Sequence, residues 1–173
     1  MDEVRQVAFS LMSDRGFDAV TVEQIAAQSS VSPSTIYRHF GTKEALVLSA
    51  QRPTKLVGRV ARDSSPRTEM PAFVRAARKV WGNDEAVPVE LGLVAANPAL
   101  VTAWERQLLE QREPLAQAFA TRRGANSTGT RDRANSAAAL AVLMTMLLPW
   151  QRAGGGRKSL DKLLTKSFGA FAT

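Results

Sequence analysis

The sequence predicts an all-α protein of about nine helices, and three observations support that fold class. Apolar residues recur every three or four positions along nearly the whole chain, no segment keeps the alternation of a strand, and glycine, proline and serine interrupt the pattern at helix-length intervals. The 173 residues are enough to bury a core, and none is cysteine. Disulfides and thiolate metal sites are therefore excluded.

The first forty residues predict three short helices. Gly16 ends the first of them, and Thr21 is a typical N-cap for the second. Ser32 followed by Pro33 combines an N-cap with proline at the first helical position, so a third helix begins there and reaches about Phe40. The apolar stripe of the first helix is Val4, Ala8, Leu11 and Met12.

The remainder of the chain predicts longer helices separated by breaks. Thr42 caps a fourth helix, which Pro53 should kink or end because proline lacks the backbone N–H. Residues 63–66 and 124–130 are predicted loops. Further helices are predicted over residues 71–81, 85–96, 98–123 with a bend at Pro114, and 134–150, followed by an amphipathic helix striped by Leu160, Leu163, Leu164, Phe168 and Phe171.

Positive charge is distributed unevenly. The formal net charge is +7, yet residues 1–50 carry four basic and six acidic side chains. The basic excess lies in residues 51–80, which contain eight lysines and arginines but only two acidic residues. The expected explanation of that excess is a solvated helix face, with contact to flanking phosphates as the alternative, so the charge alone does not identify a nucleic-acid-binding protein.

The spacing of the second and third helices is typical of a helix-turn-helix module. Residues at i, i+1, i+4 and i+5 share one face of a helix, and here that face carries Pro33, Ser34, Tyr37 and Arg38. The face is small and polar at its start and cationic further on. These are the properties of a recognition helix in the DNA major groove.

The run from Gly16 to Leu46 resembles the signature of the TetR family of transcriptional regulators. Its parts are Thr-x-x-x-Ile-Ala from Thr21, Val-Ser-x-x-Thr-x-Tyr-x-His-Phe from Val31, and Lys-Glu-x-Leu from Lys43. The resemblance implies an N-terminal three-helix helix-turn-helix DNA-binding domain over residues 1–47. It also implies a C-terminal helical effector-binding and dimerisation domain over residues 48–173.

The resemblance further implies roles for individual residues. Phosphate contacts are expected from the start of the second helix, from the third helix and from Lys43, whereas Ser34, Thr35 and Arg38 are placed to meet base edges. Packing at the edge of the module is the alternative for Tyr37 and His39, and a solvated surface position for Arg38. The complete expected DNA-binding set is Thr21, Val22, Ser32, Pro33, Ser34, Thr35, Tyr37, Arg38, His39 and Lys43.

Several features depart from the family pattern, among them Ser29, where an alanine or leucine is common. Ser30 stands where a glycine usually makes the turn, which predicts a strained or altered turn. Glu23 is expected on the exposed side of the second helix, where a carboxylate opposes DNA. With the acidic balance of residues 1–50, these departures leave open an alternative function, a ligand-binding or protein-interaction dimer with a degenerate helix-turn-helix.

The second domain is expected to form a homodimer and to hold a small effector. The segment around residues 134–150 has no polar face, so it is predicted to pack against its own chain and a partner together, unless it is the centre of a monomeric domain. The expected dimer interface is Leu140, Leu143, Leu147, Leu160, Leu164 and Phe168. The expected lining for a hydrophobic or aromatic effector is Phe73, Trp81, Trp104, Leu108 and Met144, each of which ordinary core packing also explains.

Other classes of function find little support. The sequence contains no phosphate-binding glycine loop and no nucleophile elbow, and its sole histidine lies within the helix-turn-helix motif. We therefore expect the protein to have no enzymatic activity, no bound cofactor and no metal site. The longest uncharged apolar stretch, residues 137–150, is too short to cross a bilayer, so a soluble protein is expected, and the absence of cysteine fits a cytoplasmic one. The predicted function is a transcriptional repressor that a small hydrophobic effector releases from a palindromic operator on double-stranded DNA.

Overall fold

A computed structural model describes residues 1–48, 51–65, 68–82, 87–154 and 157–169. Within those residues the regular structure is entirely helical, which confirms the predicted fold class. The eleven helices are α1 Asp2–Arg15, α2 Val22–Ser29, α3 Pro33–Phe40, α4 Glu44–Val47, α5 Gln51–Ala61, α6 Glu69–Trp81, α7 Val87–Ala96, α8 Pro98–Leu109, α9 Arg112–Arg122, α10 Thr130–Arg152 and α11 Arg157–Gly169. Phe171, the last residue of the predicted terminal stripe, and Glu85, the predicted start of the helix ending at Ala96, lie outside the described residues.

Two of the nine predicted helices are each divided, which explains the higher count. The predicted fourth helix is α4 and α5, since Leu48 leaves the helical backbone at φ −78° and ψ 121°. The predicted helix over residues 98–123 is α8 and α9. Pro53 and Pro114 are each the third residue of the new helix, where the first turn has no intrahelical acceptor for their missing N–H. Both prolines therefore follow a break and begin a helix.

The helices share one continuous apolar core. The 23-residue α10 is central to the second domain, where it contacts α6, α7, α8, α9 and α11. α5 packs on α6 and α9, while α1 packs on α2 and α4. Both α1 and α4 also contact α7, so α7 joins the N-terminal module to the rest of the chain.

The residues expected at a dimer interface instead form the interior of a single chain. Their side chains are between 0% and 3% exposed, so they have no surface to offer a partner. The expectation was wrong because an apolar helix does not show in its sequence which side its own chain covers. The residues of the expected interface that are buried in this way are Leu140, Leu143, Leu147, Leu160, Leu164 and Phe168. On α10 the exposed stripe includes Ala134, Ala137, Ala141, Thr145 and Pro149.

The expected effector-lining residues are also core residues. Phe73, Trp81, Trp104 and Leu108 are at most 3% exposed, and Met144 is half-buried against the same core. The Phe73 ring packs 5.3 Å from the ring of Phe168. None of these residues lines the cavities of about 620 and 370 Å³ or the groove between α2 and α3 described below. In this conformation the structure does not bring them together around any of those three sites.

Candidate nucleic-acid interface

A capping box begins α2 and confirms Thr21 as its N-cap. The Thr21 hydroxyl oxygen accepts from the Gln24 backbone N–H at 3.3 Å, and the Gln24 side-chain oxygen accepts from the Thr21 N–H at 3.1 Å. The hydroxyl hydrogen of the exposed Thr21 remains able to donate to an anion. Val22 follows at 3% exposure, so its side chain belongs to the core and only its backbone can serve the predicted DNA contact.

The turn between α2 and α3 has the unusual backbone that its serine predicted. Ser30 adopts φ 54° and ψ 22°, the left-handed conformation for which glycine is normally selected. The neighbouring Ser29 is buried, and its hydroxyl donates to the Ile25 carbonyl oxygen at 2.8 Å. The turn is thus formed without glycine, and its buried hydroxyl is satisfied.

Hydroxyl groups are concentrated at the start of α3. The Ser32 hydroxyl oxygen accepts from the Thr35 N–H at 3.3 Å, which confirms the predicted N-cap. The same hydroxyl donates to Thr35 Oγ1 at 2.9 Å and lies 3.1 Å from Ser34 Oγ. Pro33 occupies the first turn as expected. This cluster lies at the positive end of the helix dipole, a position suited to a phosphate or to base-edge acceptors.

The outer face of α3 is exposed while its inner face is anchored. Ile36 is 1% exposed, whereas Tyr37 is 47% exposed. Arg38 and His39 are exposed as well, and the His39 ring meets the Phe40 ring edge-on at 4.8 Å. Packing in the core therefore does not explain a tyrosine at position 37. Its phenol is exposed to solvent beside the guanidinium of Arg38 and the imidazole of His39.

Lys43 has contacts that sequence reasoning missed. Its ammonium group donates to the carbonyl oxygens of Phe17 and Val20 at 3.0 and 3.1 Å and lies 4.2 Å from the centre of the Phe17 ring. These bonds tie the start of α4 to the segment that precedes α2. An ammonium group has three donors, so one N–H is left for the expected phosphate contact.

The charge of this surface is mixed. Glu23 is exposed on α2, as its helical position predicted. It lines a shallow groove between α2 and α3 together with Ser30 and Ser32. A carboxylate at this place disfavours a phosphate but can accept from a cytosine amine.

A side-chain hydrogen bond links the N-terminal module to the helices that follow it. The Asn97 side-chain amide donates to Asp18 Oδ2 at 2.9 Å, while its oxygen accepts from the N–H groups that begin α8. Within the module itself, Arg5 donates to the Val47 carbonyl oxygen at the end of α4 at 3.0 Å. A cavity of about 620 Å³ lies between residues 12–19 and α7, with Asn97 at its edge.

A buried ion pair lies close to this attachment. Arg52 Nη2 donates to Glu90 Oε2 at 2.7 Å, and both residues are less than 10% exposed. The pair joins α5 to α7. Sequence reasoning placed Arg52 on a solvated basic face, and the acidic residue that overturns this interpretation stands 38 residues away within an apolar run. No sequence signal connected the two.

Among the described residues, no three histidine, cysteine, aspartate or glutamate side chains are grouped as metal ligands would be. None of the described helices combines the length and the apolarity needed to cross a membrane.

Comparison with known proteins matches two family models. Residues 4–50 match the model for bacterial regulatory proteins of the tetR family, and residues 70–173 match the MftR C-terminal domain. Among curated relatives, the transcriptional regulator TcmR of Streptomyces glaucescens is 30% identical over 71% of this chain and 60% of its own length. YdeS of Bacillus subtilis is 38% identical over 27% of this chain and 24% of its own length. The chain thus spans less than two thirds of these relatives.

Solved structures share the fold over nearly the whole chain. A TetR-family regulator from Mesorhizobium loti aligns with a TM-score of 0.63 and 25% identity, covering 98% of this chain and 93% of that one. NalD of Pseudomonas aeruginosa aligns with a TM-score of 0.62 and 21% identity over 96% and 92%. FadR of Bacillus subtilis, solved with stearoyl-CoA, aligns with a TM-score of 0.63 and 15% identity over 99% and 97%. The chain belongs to the TetR family of bacterial regulatory proteins.

Proposed function

We propose that this protein is a DNA-binding transcriptional regulator that represses from a palindromic operator and is released by a small effector. The observation that carries the proposal is the division of α3 between a buried Ile36 and an exposed face of Ser34, Tyr37, Arg38 and His39. The proposed domains are residues 1–47 for DNA binding and 48–173 for the effector and the dimer.

The proposed contacts divide into two kinds. Thr21, Tyr37, His39 and the third donor of Lys43 bind phosphates, which fixes register and supplies affinity without reading sequence. Arg38 binds a guanine edge, a contact worth about 1–3 kcal/mol of discrimination. The exposure of Tyr37 and Arg38 supports these roles.

A homodimer through the exposed stripe of α10 completes the proposal. Small side chains at Ala134, Ala137, Ala141 and Thr145 allow two helices to approach closely about a twofold axis. Such a dimer places two α3 helices about one DNA turn apart, roughly 34–36 Å, on a palindrome. This stripe replaces the buried leucines as the proposed interface.

The effector signal is proposed to pass through α7. That helix contacts α1 and α4 and precedes Asn97, whose amide holds Asp18 of the N-terminal module. A hydrophobic effector that separates the core helices would shift α7 and spoil the α3 spacing. A coupling of about 1–3 kcal/mol is enough to release an operator. FadR of Bacillus subtilis, which shares the fold, was solved with stearoyl-CoA, and this chain is proposed to take a small hydrophobic effector of its own.

Selection from fragmented genomic DNA tests the proposal. The purified chain is expected to enrich fragments with twofold-symmetric sequence, and Arg38→Ala should relax preference at one base pair in each half-site. The matched control is Arg106→Ala, an exposed arginine of α8. Enrichment of no common sequence would refute the repressor function. It would favour the interaction-dimer alternative, which the exposed Glu23 supports.

A further inference from the structure

A second cavity, of about 370 Å³, lies between α5 and α6 and is strongly cationic. Its volume is in the range of small-molecule sites. Five positive side chains and one carboxylate line it. The lining is Lys55, Arg59, Arg62, Asp63, Arg75, Ala76 and Lys79.

The single carboxylate is already engaged. Asp63 Oδ2 accepts from Arg75 Nε at 2.9 Å and from Arg75 Nη2 at 2.6 Å, and Asp63 Oδ1 lies 3.4 Å from Arg122 Nη1. Within the described part of the chain, the other four cations of the cavity have no carboxylate at ion-pair distance. Those four are Lys55, Arg59, Arg62 and Lys79. Their charge is available to a ligand.

The arrangement of these cations opposes helix stability. Lys55 and Arg59 are one turn apart on α5, so two like charges without a carboxylate partner are neighbours there, whereas Arg75, one turn from Lys79 on α6, is paired with Asp63. In addition, Gly58 lies inside the continuous helix α5, and a Cβ there would lie 3.1 Å from Arg62 Nη2. Glycine is a poor residue for a helix interior, but here it leaves room for a guanidinium against the backbone. A solvated face alone requires neither feature.

We propose that this groove binds a small phosphorylated anion carrying several negative charges. Guanidinium and ammonium groups from two helices converge on one concavity, which suits a compact polyphosphate. The phosphate row of a duplex would instead meet cations spread along a ridge. The inference does not depend on the proposed DNA binding.

Calorimetric titration of the chain with inorganic tripolyphosphate at fixed ionic strength tests the proposal. The test variant is Arg59→Gln/Lys79→Gln. The control is Arg106→Gln/Lys166→Gln, which removes the same residue types from exposed positions on α8 and α11. The wild type and the control are expected to bind one anion per chain, and the test variant to bind about tenfold more weakly or worse. Its thermal unfolding temperature without ligand should not fall, because repulsion is relieved.

Two results would overturn the proposal. The first is no saturable binding of tripolyphosphate by the wild type, and the second is equal weakening in both double variants, which would mean unspecific charge attraction. If the wild type binds no tripolyphosphate and the test variant also loses affinity for duplex DNA, the groove belongs to the DNA-binding surface.

Discussion

Lys43 donates a hydrogen bond to the carbonyl oxygen of Phe17 at 3.0 Å, and its ammonium group lies 4.2 Å from the centre of the Phe17 ring. The residue expected to reach DNA therefore also holds together the segment between α1 and α2. A second bond to the Val20 carbonyl oxygen strengthens that link. Any effect of Lys43 on DNA binding has to be separated from its effect on folding.

Lys43→Met is expected to lower the free energy of unfolding by about 2 kcal/mol. It keeps the apolar stem but removes two charge-assisted hydrogen bonds at a half-buried site. Urea denaturation measures the loss, with Lys162→Met on the exposed face of α11 as the control. Equal free energies of unfolding for the two variants would show that the hydrogen bonds from Lys43 to the carbonyl oxygens do not stabilise the protein.

Ser30→Gly is expected to stabilise the protein by up to about 1 kcal/mol. A non-glycine residue at φ 54° destabilises the folded state by about 1–2 kcal/mol, and glycine removes that strain. The greater conformational entropy of glycine in the unfolded chain offsets about 0.5–1 kcal/mol of this gain in stability. Ser30→Val should destabilise, because a branched Cβ suits this conformation least. Thermal melting checks both variants, and a lower melting temperature for Ser30→Gly than for the wild type would contradict the account.

Exchange of the Asn97 and Asp18 side chains tests the attachment of the N-terminal module. Asn97→Asp keeps the cap of α8 but sets a carboxylate against Asp18, so we expect a loss of about 1 kcal/mol. Adding Asp18→Asn restores a donor on the opposite side and should recover most of that loss. A double-mutant cycle by urea denaturation measures the coupling. Strictly additive effects would mean that the bond is not formed in solution.

The pH dependence of stability should contain a contribution from Asp63. Burial disfavours its charge, but hydrogen bonds from Ser65 and Arg75 outweigh burial and lower its pKa from 3.8 to about 2. Because the folded-state pKa lies below the unfolded value, the stabilisation is complete above about pH 4 and is lost as the pH falls toward 2. With solvent screening it amounts to about 1 kcal/mol.

Asp63→Asn removes that contribution. Unfolding free energies of the wild type and the variant should differ most at pH 5 and converge between pH 4 and 2. Urea denaturation at several pH values provides the comparison. A difference that is constant over this range would contradict the lowered pKa.

Four predictions that rest on local chemistry were confirmed, whereas the predicted cap Thr42 precedes Lys43, which is the N-cap of α4. Thr21 and Ser32 cap their helices because capping depends on a hydroxyl and the next three residues, and Ser30 has the backbone expected of a turn that lacks glycine. Gly16 likewise ends α1 with a positive φ of 85°. Such features are determined within a few residues of the chain, so sequence alone reveals them.

The predictions that failed concern what a side chain meets across the fold. Leu140 and Leu164 were expected to face a partner, but their own chain buries them. Arg52 was placed on a solvated face, but it pairs with Glu90 of another helix. The sequence shows that an apolar side chain is favoured in a buried position and that a buried charged side chain requires a partner. The three-dimensional packing determines which residue covers the one and pairs with the other.

The salt dependence of binding to a selected operator tests the central claim, that α3 binds DNA, most directly. Fluorescence anisotropy would compare the wild type with Tyr37→Ala and with Leu109→Ala, an exposed apolar control on α8. The account predicts that log affinity falls linearly with log salt for the wild type and the control, with a slope near −0.9 for each phosphate contacted. Tyr37→Ala should bind about tenfold more weakly with unchanged stability. A flat salt dependence, or equal affinity of Tyr37→Ala and wild type, would contradict it.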